Sequence, residues 1–372
     1  MSNRIRRIAI NTGGGDAPGL NAVVRATVLA ARRRGWEVLG IRRGYEGLLD
    51  ITKIMQLDRE SVRGITHLGG SILGSTNKGD PFQWPLRMPG GEVQLVDRSD
   101  EVVTNFRRLG IDALIAIGGD GSMRIAHELA KKGVAIVGVP KTIDNDLPGT
   151  ALTFGFDTAV NVATEALDRL HSTAEAHERV FTVELMGRYA GWIALHAGIA
   201  STADCILIPE IPFDIDVICR KIMEREALGR HFSIVVVAEG ARPLGGAMVY
   251  QGPAEMGREV RLGGIAEQVA HMIEEKTGKE ARNLVLGHLQ RGGSPSAFDR
   301  VTAQRFGAAA VRVVARGESG VMVALDPPEV LTVPLEQVIA SMRTVPLDGD
   351  TIQTARDLGI CLGDEWEERG IY

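Results

Sequence analysis

The sequence predicts an α/β protein built from parallel strands that alternate with helices. Five short apolar runs have the length of buried strands and end in glycine-rich or acidic loops; they span residues 8–10, 113–117, 135–139, 180–185 and 234–238. Alanine-rich stretches with helical periodicity follow several of these runs, at residues 21–32, 122–131 and 158–176. Strands that alternate with helices form parallel sheets covered on both faces. A chain of 372 residues also exceeds what one hydrophobic core usually serves, so we expect two domains.

The composition excludes several classes of function. Apolar residues make up 44% and charged residues 24% of the chain, as in globular enzymes, and the formal net charge is -5. Because there is no basic excess, we expect no nucleic-acid partner. We also expect no membrane association, since no apolar stretch is long enough to cross a bilayer and the N-terminus lacks a signal-peptide core. The three cysteines lack the spacing of a metal or redox site, which favours a reducing compartment and a cytoplasmic location.

The first glycine-rich segment, GGGDAPGLN at residues 13–21, directly follows the first predicted strand. Glycines let the backbone approach a phosphate closely, and the helix that follows offers free N–H groups and the positive end of its dipole. The segment is neither a Walker A sequence nor GxGxxG. It therefore predicts either a phosphate-binding loop around Gly15 or only a tight turn from strand to helix.

A second glycine loop, GGDGS, spans residues 118–122 and again joins a strand to a helix. Asp120 stands where phosphates would bind, and a carboxylate beside phosphates requires a cation between them. Mg²⁺ held by one carboxylate and phosphate oxygens meets that requirement. The alternative interpretation is that Asp120 only caps the helix.

The segment PKTIDND, at residues 140–146, places Lys141, Thr142 and two carboxylates at the end of the next strand. A kinase needs a group that takes the proton of the attacking hydroxyl, and an aspartate does this in other kinases. The two carboxylates of this segment, Asp144 and Asp146, are the candidates for that base. The same residue types are also typical of an Asx-turn loop without chemistry. Two acidic loops on consecutive strands favour the catalytic interpretation.

Basic residues among glycines recur in the second half of the chain. They are Arg179, Arg188 in an MGR segment, Arg282, His288 and Arg291. Guanidinium groups match phosphate oxygens bidentately, so the pattern favours a phosphorylated substrate. Each arginine taken alone is more typical of a surface ion pair, and a lone histidine is more typical of a structural role.

Five segments, in this order, resemble the 6-phosphofructokinase family, and the pattern is similar to its bacterial branch of mixed phosphoryl-donor preference. The segments are GGGDAPGLNAVVR, GGDGS, PKTIDND, MGRYAGWIAL and LGHLQRGGSPSAFDR. The resemblance implies two Rossmann-like three-layer α/β/α domains, each with a mostly parallel sheet, and an active site in the cleft between them. It implies a phosphoryl-donor domain of residues 1–155 and about 290–340, and a sugar-phosphate domain of residues 156–289 and about 341–372.

The resemblance also implies a glycolytic reaction, with ATP as donor, Mg²⁺ as cofactor and fructose 6-phosphate as acceptor. Asp144 would be the base for the 1-hydroxyl, supported by Thr142 and Asp146, and Arg188 would stabilise the transferred phosphoryl group. The residues implied at the ATP site are Gly15, Gly119, Asp120, Gly121 and Ser122, with Asp120 on the metal. Those implied at the sugar phosphate are Thr142, Ile143, Asp144, Arg179, Met186, Gly187, Arg188, Glu239, Arg282, His288, Leu289, Gln290 and Arg291.

Arg179 and Arg282 are implied to reach the 6-phosphate from a neighbouring subunit, so we expect a homodimer or homotetramer with shared active sites. The donor depends on two other positions. Relatives that use pyrophosphate typically have aspartate where this chain has Gly121 and lysine where it has Lys141, whereas relatives that use ATP have glycine at the first position. Because an aspartate there would crowd a nucleotide, we expect ATP, with pyrophosphate as the alternative.

Two other classes of protein fit part of the sequence. A non-catalytic sugar-phosphate sensor on the same fold would be expected to lack Asp120, Asp144 or Arg188, and all three are present. A kinase for NAD or for another sugar phosphate would share the GGDG sequence. It would not require the MGR and LGHLQRGG segments.

Two stretches near residue 78 depart from the rest of the pattern. Residues 78–91 are rich in proline and glycine and are predicted to be a surface loop or excursion. ATP-using bacterial relatives have an arginine facing the nucleotide where this chain has Asn77, a difference for which Lys78 could compensate.

Overall fold

A computed structural model of the chain describes residues 5–76, 79–252 and 261–365. The described residues fold into two compact units. Unit 1 contains the described residues up to 158 and the segment Arg291–Met342, and unit 2 contains residues 159–252, 261–290 and 343–365. Asn77 and Lys78, which the sequence singles out near the nucleotide, lie outside the described residues.

Strands and helices alternate along most of the chain. The strands are β1 (Arg7–Thr12), β2 (Glu37–Ile41), β3 (Ile54–Leu57), β4 (Trp84–Arg87), β5 (Val93–Val96), β6 (Ala113–Gly118), β7 (Ile136–Pro140), β8 (Val180–Leu185), β9 (Cys205–Leu207), β10 (Ser233–Ala238), β11 (Ala281–Val285), β12 (Val321–Asp326) and β13 (Glu329–Pro334). The α-helices are α1 (Leu20–Arg32), α2 (Glu46–Leu49), α3 (Ser99–Arg108), α4 (Asp120–Lys131), α5 (Phe156–His177), α6 (Trp192–Ala200), α7 (Ile215–Ala227), α8 (Ile265–Thr277), α9 (Ala297–Ala315), α10 (Leu335–Ala340) and α11 (Asp350–Asp357). Short 3-10 turns cover Ile51–Lys53 and Gly287–Arg291. None of these described helices has the length and apolar character that crossing a bilayer requires.

Unit 1 is built on a sheet with the strand order β13-β12-β7-β6-β1-β2-β3. The five strands from β12 to β2 pair in parallel, and the two edge strands are antiparallel to their neighbours. Because β7, β6 and β1 are adjacent and parallel, the loops that follow them leave the sheet at the same edge. These are the loops that contain the three acidic or glycine-rich motifs.

Helices cover both faces of this sheet. On one face α1 and α9 pack together, and Val23 and Phe306 join Ile10 in one buried cluster. On the other face Met123 of α4 lies in a second buried cluster with Leu114 of β6. Burial on both faces explains why the central strands are continuous apolar runs, and each fully buried side chain of this size stabilises the fold by about 1.5–3 kcal/mol.

Unit 2 is built on a smaller sheet, of order β11-β8-β10-β9, in which every pair of strands is parallel. Helices α7 and α8 cover one face, where Ile218 and Val269 pack against Val235 and Val237. Helix α6 packs on β9 and β10. The predicted fold class, α/β with a mostly parallel sheet in each part, is confirmed.

The structure also contains strands that the apolar pattern does not predict. Residues 79–96 leave the main sheet, as the predicted excursion does, but they form a β4–β5 antiparallel hairpin rather than an irregular loop. Its large side chains, such as Leu86 and Val93, are exposed. A two-stranded ribbon satisfies its backbone groups without a buried face, so it has no apolar run for a sequence pattern to detect.

Candidate active site

The first glycine loop is held by backbone hydrogen bonds from two directions. The N–H of Gly13 donates to the carbonyl of Ile117 over 2.9 Å, and the N–H of Gly14 donates to the carbonyl of Thr76 over 3.0 Å. The hydroxyl of Ser75 donates to the carbonyl of Gly14 over 2.5 Å. Gly14 has a φ of 76°, a left-handed conformation that favours glycine. The loop is therefore fixed in place before helix α1 begins.

The second glycine loop opens helix α4 with an acidic residue in its first turn. The helix begins at Asp120, and its N-cap is Gly119, with no side-chain cap. Asp120 is therefore not the helix cap that the alternative interpretation requires. At Gly121 no described atom lies within 4 Å of where a Cβ would stand, and its φ is not left-handed. Neither packing nor backbone conformation requires a glycine there.

The third loop brings the candidate base to the carboxyl end of β7. The N–H of Lys141 donates to the carbonyl of Gly118 over 3.0 Å, which joins the second and third loops. Thr153 supports the loop from beneath, because its hydroxyl donates to the carbonyl of Thr142 over 2.7 Å. Its N–H donates to the side-chain oxygen of Asn145 over 3.1 Å.

Asp144 has one occupied oxygen and one that has no partner among the described residues. Its Oδ2 lies 3.3 Å from the hydroxyl of Thr142, and its own N–H donates to that hydroxyl over 3.0 Å. Its Oδ1 is buried and accepts no hydrogen bond from any described residue. Only 4% of Asp144 is exposed, so this oxygen cannot be satisfied freely by bulk water. A buried acceptor without a donor is costly unless a ligand supplies one.

Two cations lie against the first glycine loop. The ammonium of Lys141 donates to the carbonyl of Gly15, and Nη1 of Arg291 donates to the carbonyl of Asp16 over 3.0 Å. Burial lowers the pKa of Lys141 to about 8; Arg291 adds to this effect, and Asp144 and neighbouring carboxylates oppose it. The structure thus brings Arg291 together with the first glycine loop in unit 1, whereas the other basic residues that the resemblance assigns to the 6-phosphate lie in unit 2.

In unit 2 a glutamate organises the loop that follows β8. Oε1 of Glu239 accepts hydrogen bonds from the N–H groups of Gly187 at 3.2 Å and Arg188 at 2.9 Å. Gly187 and Arg188 have φ values of 147° and 54°, so both residues adopt left-handed backbone conformations. A non-glycine residue in that region is strained by roughly 1–3 kcal/mol and persists only where its surroundings impose it. Two bonds to one carboxylate oxygen impose it in this loop.

Arg179 and Arg282 lie at the opposite edge of the unit 2 sheet from that loop. Arg179 directly precedes β8 and donates from Nε to Oε2 of Glu280 over 2.7 Å, and Arg282 donates to Oε1 of the same carboxylate. Met186 and His288, by contrast, follow the carboxyl ends of β8 and β11. A six-residue strand spans roughly 20 Å. Within one chain, these two arginines and the loops after β8 and β11 therefore do not meet around one phosphate.

The remaining predicted residues of the 6-phosphate segment differ in exposure. His288 and Leu289 are exposed, and 68% of Leu289 is accessible. Gln290 is fully buried, and its Nε2 donates to the carbonyl of Gly287 over 3.1 Å. His288 is thus available to a ligand, whereas Gln290 shapes the turn that presents it.

The residues at the second loop fit a magnesium ion shared with a phosphorylated ligand. No three His, Cys, Asp or Glu side chains within the described ranges are grouped as a metal site. Mg²⁺ does not need such a group, since it keeps several waters and is usually bound by one or two carboxylates and substrate phosphates. Asp120, half-buried at the start of α4, is the carboxylate in the position to provide this.

Several residues of the site have no signal in the sequence analysis. Glu280 pairs with both Arg179 and Arg282, and Ser75 and Thr153 fix two of the loops. Ser75 lies 61 residues from Gly14, and Thr153 lies 11 residues from Thr142. Glu280 lies only two residues from Arg282 but 101 residues from Arg179, so its double pairing arises only on folding.

Comparison with known proteins agrees with this arrangement. A family model described as Phosphofructokinase matches residues 7–314. The ATP-dependent 6-phosphofructokinase of Chloroflexus aurantiacus is 52% identical over 365 residues, which cover 98% of this chain and 100% of that protein. The ATP-dependent 6-phosphofructokinase 1 of Synechocystis sp. is 49% identical, and the match covers 97% of this chain and 99% of that protein.

Solved structures are similar to the chain as well. The crystal structure of Pichia pastoris phosphofructokinase in the T-state matches with a TM-score of 0.76 and 32% identity, covering 91% of this chain and 36% of that longer chain. A pyrophosphate-dependent phosphofructokinase from Marinobacter aquaeolei matches with a TM-score of 0.76 at 23% identity, covering 98% of this chain and 94% of that one, a likeness of fold alone. With the family model, the relatives and the loop geometry in agreement, the chain belongs to the phosphofructokinase family.

Proposed function

We propose that the chain transfers a phosphoryl group from ATP to the 1-hydroxyl of fructose 6-phosphate, giving fructose 1,6-bisphosphate and ADP, as in glycolysis. The observation that carries this proposal is the buried Oδ1 of Asp144, which has no donor among the described residues. A substrate hydroxyl would supply that donor. The names of the most similar relatives, ATP-dependent 6-phosphofructokinases, support the same reaction.

Asp144 acts as the general base in this proposal. Thr142 occupies Oδ2, so the carboxylate is oriented and Oδ1 is left for the 1-hydroxyl. Proton transfer to a positioned carboxylate typically contributes 10²–10⁴-fold to the rate. In phosphoryl transfer the hydroxyl becomes acidic late, so the base needs correct placement more than a raised pKa.

Neutralisation of the phosphoryl charge is assigned to both units. Asp120 would hold Mg²⁺, which would neutralise charge on the donor phosphates, and the positive end of the α4 dipole adds positive potential. Arg188 is assigned to the transferred phosphoryl group. Its strained backbone, fixed by Glu239, supports this role because strain of this kind clusters at functional sites.

The two units divide the ligands in this proposal. The domain of residues 1–155 and about 290–340, which largely coincides with unit 1, binds ATP and contains the base in this proposal. The domain of residues 156–289 and about 341–372, which largely coincides with unit 2, binds the sugar phosphate through Met186, Gly187, Glu239 and His288. The three cysteines are buried and free, which suits the reducing cytoplasm where we propose that the enzyme acts.

A second subunit is part of the proposal. Arg179 and Arg282 lie at the edge of the unit 2 sheet that is opposite to Met186 and His288. If they bind the 6-phosphate, they therefore do so in the site of another copy of the chain. A homodimer or homotetramer with shared active sites follows, because identical subunits exchange identical surfaces.

Gly121 supports ATP over pyrophosphate as donor. Gly121 has no side chain of its own, and apart from its chain neighbours and its own helix backbone no described atom lies within 4 Å of where a Cβ would stand, which favours room for a nucleotide. Pyrophosphate is the second candidate because of Lys141, the residue typical of pyrophosphate-using relatives. In this chain the Lys141 ammonium already donates to the Gly15 carbonyl, which makes it part of the loop scaffold.

Initial rates with fructose 6-phosphate and Mg²⁺ test the proposal, with ATP and pyrophosphate compared in the same assay. We expect turnover with ATP and little with pyrophosphate. Gly121→Asp should weaken ATP use, whereas Gly121→Ala, the matched control, should retain it. A higher rate with pyrophosphate would overturn the donor assignment. Binding of fructose 6-phosphate without turnover on either donor would indicate the sugar-phosphate sensor.

A further inference from the structure

A second polar cluster, with two buried and two half-buried members, lies in unit 1, where helices α5 and α9 begin. Its members are Asp157, Thr158, Ser296 and Asp299, which we call the helix-start clamp. Oδ2 of Asp299 accepts hydrogen bonds from the N–H of Thr158 at 2.8 Å and from its hydroxyl at 2.6 Å. The hydroxyl of Ser296 donates to Asp157 over 2.5 Å. None of the four has a place in the proposed chemistry.

The clamp makes each helix cap the other. Ser296 is the N-cap of α9, and its hydroxyl accepts the N–H of Asp299 over 3.1 Å. In an ordinary capping box the acidic residue three positions on would return to the N–H of the capping serine. In this protein Asp299 instead binds the first turn of α5, and the N–H of Ser296 donates to the hydroxyl of Thr158 over 2.9 Å. The starts of α5 and α9 are therefore fixed to each other.

Burying the Asp299 carboxylate costs free energy. That the link is kept despite this cost indicates that its geometry matters. Asp299 is fully buried. Burial raises the pKa of Asp299 to about 6, even though the two bonds from Thr158 oppose the shift. Apolar groups of similar size would hold two helix ends together without this cost, and buried polar groups are in some proteins retained because they specify one arrangement.

On the α5 side, the clamp connects directly to the loop of the proposed base. Helix α5 begins three residues after Thr153, which bonds to the carbonyl of Thr142 and to the side chain of Asn145. The short segment between Thr153 and α5 is tightly packed. Gly155 has a φ of 100°, and a Cβ on it would lie 2.8 Å from the Cβ of Ala17. A shift of the first turn of α5 would therefore be transmitted to the loop of Asp144.

On the α9 side, the clamp connects to the first glycine loop. Arg291, six residues before α9, donates to the carbonyl of Asp16. Between Arg291 and the start of α9, Gly293 packs closely against Gly69. A Cβ on Gly69 would lie 2.3 Å from the Gly293 carbonyl oxygen. The clamp thus joins two segments, one that supports the base and one that supports the donor loop.

We propose that Thr158 and Asp299 are positioning residues for phosphoryl transfer, which set the base loop against the glycine loop by fixing the starts of α5 and α9 to each other. This rests on the proposed function. The residues touch neither ligand, so their effect is on alignment. Misplacement of reacting groups by about 1 Å can cost on the order of 10²-fold in rate.

Thr158→Val is the variant that tests this proposal. It keeps the side-chain volume and the backbone N–H but removes the hydroxyl that links Asp299 to Ser296. Thr158→Ser restores that hydroxyl. The matched control is Thr27→Val, the same change at a fully buried threonine of α1, whose hydroxyl donates to the carbonyl of Val23 over 2.9 Å.

Two measurements are made on the full-length chain well below its unfolding temperature. We expect Thr158→Val to lower kcat about tenfold while ATP affinity, measured by direct binding, stays near that of the unchanged protein. Thr158→Ser should recover most of the loss, and Thr27→Val should show none. Amide hydrogen exchange at residues 142–146 should rise in Thr158→Val and not in Thr27→Val.

Unchanged kcat and unchanged exchange in Thr158→Val would overturn the proposal, as would equal losses in Thr27→Val. Failure of the proposed function is recognised separately, because the unchanged protein would then transfer no phosphoryl group from ATP. In that case hydrogen exchange at the base loop still decides whether the clamp holds it in place.

Discussion

The two groups of proposed site residues differ in how completely a single chain builds them. In unit 1 backbone hydrogen bonds join the loop of the proposed base to the glycine loops, and only 2% of Lys141 and 4% of Asp144 are exposed. In unit 2 the side chain of Arg282 is 50% exposed, and both Arg179 and Arg282 are paired with Glu280. The proposed reacting groups are fixed within one chain, whereas the two arginines proposed to bind the 6-phosphate are held only by Glu280, at the end of the unit 2 sheet opposite to Met186 and His288.

The largest effect on kcat should come from a substitution in the loop of the proposed base in unit 1. Asp144→Ser removes the base, and we expect kcat to fall by about 10²–10⁴-fold. Binding of fructose 6-phosphate, measured by calorimetry, should survive because the arginines are untouched. Near-normal turnover in Asp144→Ser would show that the carboxylate is not the base.

A subunit-mixing experiment tests whether the arginines of unit 2 act in the site of another copy of the chain. Arg282→Ser should weaken fructose 6-phosphate binding. Arg282→Ser and Asp144→Ser should each be poorly active when prepared alone. Equal amounts of unfolded Arg282→Ser and Asp144→Ser chains are mixed and refolded together. If two chains share their sites in a dimer, half of the dimers are hybrids, and each hybrid has one intact site of two. We therefore expect about a quarter of the normal activity. Mixing folded proteins without subunit exchange is the control. No recovery after refolding would refute the shared site.

The smallest effect concerns the buried cation of unit 1. Folding lowers the pKa of Lys141 from 10.5 to about 8, so between these pH values the unfolded state binds more protons than the folded state. Lys141 should therefore raise the free energy of unfolding as pH rises from 8 to 10.5. Lys141→Met should remove that contribution in denaturant titrations. An identical slope in both proteins would mean that the ammonium is solvated.

The strands that border the site could be predicted because their burial leaves a local trace. β1, β6 and β7 are covered on both faces and form continuous apolar runs. β11 could not be predicted, because it is an edge strand in which the side chains from Arg282 to Val285 are exposed. A strand that buries one end and no face has no periodic pattern to detect.

The same distinction applies to the site. Asp120 and Asp144 could be identified because each lies in a dense motif at a strand end. Glu280 and Asp299 could not, since a lone acidic residue has no signature and their partners, Arg179 and Thr158, are 101 and 141 residues away in the chain. Side chains that act through contacts made only on folding are invisible to a local pattern.

The open position at Gly121 has a consequence for how such enzymes change over time. Apart from its chain neighbours and its own helix backbone, no described atom lies within 4 Å of where a Cβ at Gly121 would stand, and an aspartate there would lie in the first turn of α4, where acidic side chains are favoured. Two of the four glycine codons become aspartate codons by one base substitution. If Gly121 determines the donor, as we propose, packing does not restrict this position to glycine, and a change of phosphoryl donor would leave the hydrophobic core of unit 1 unchanged.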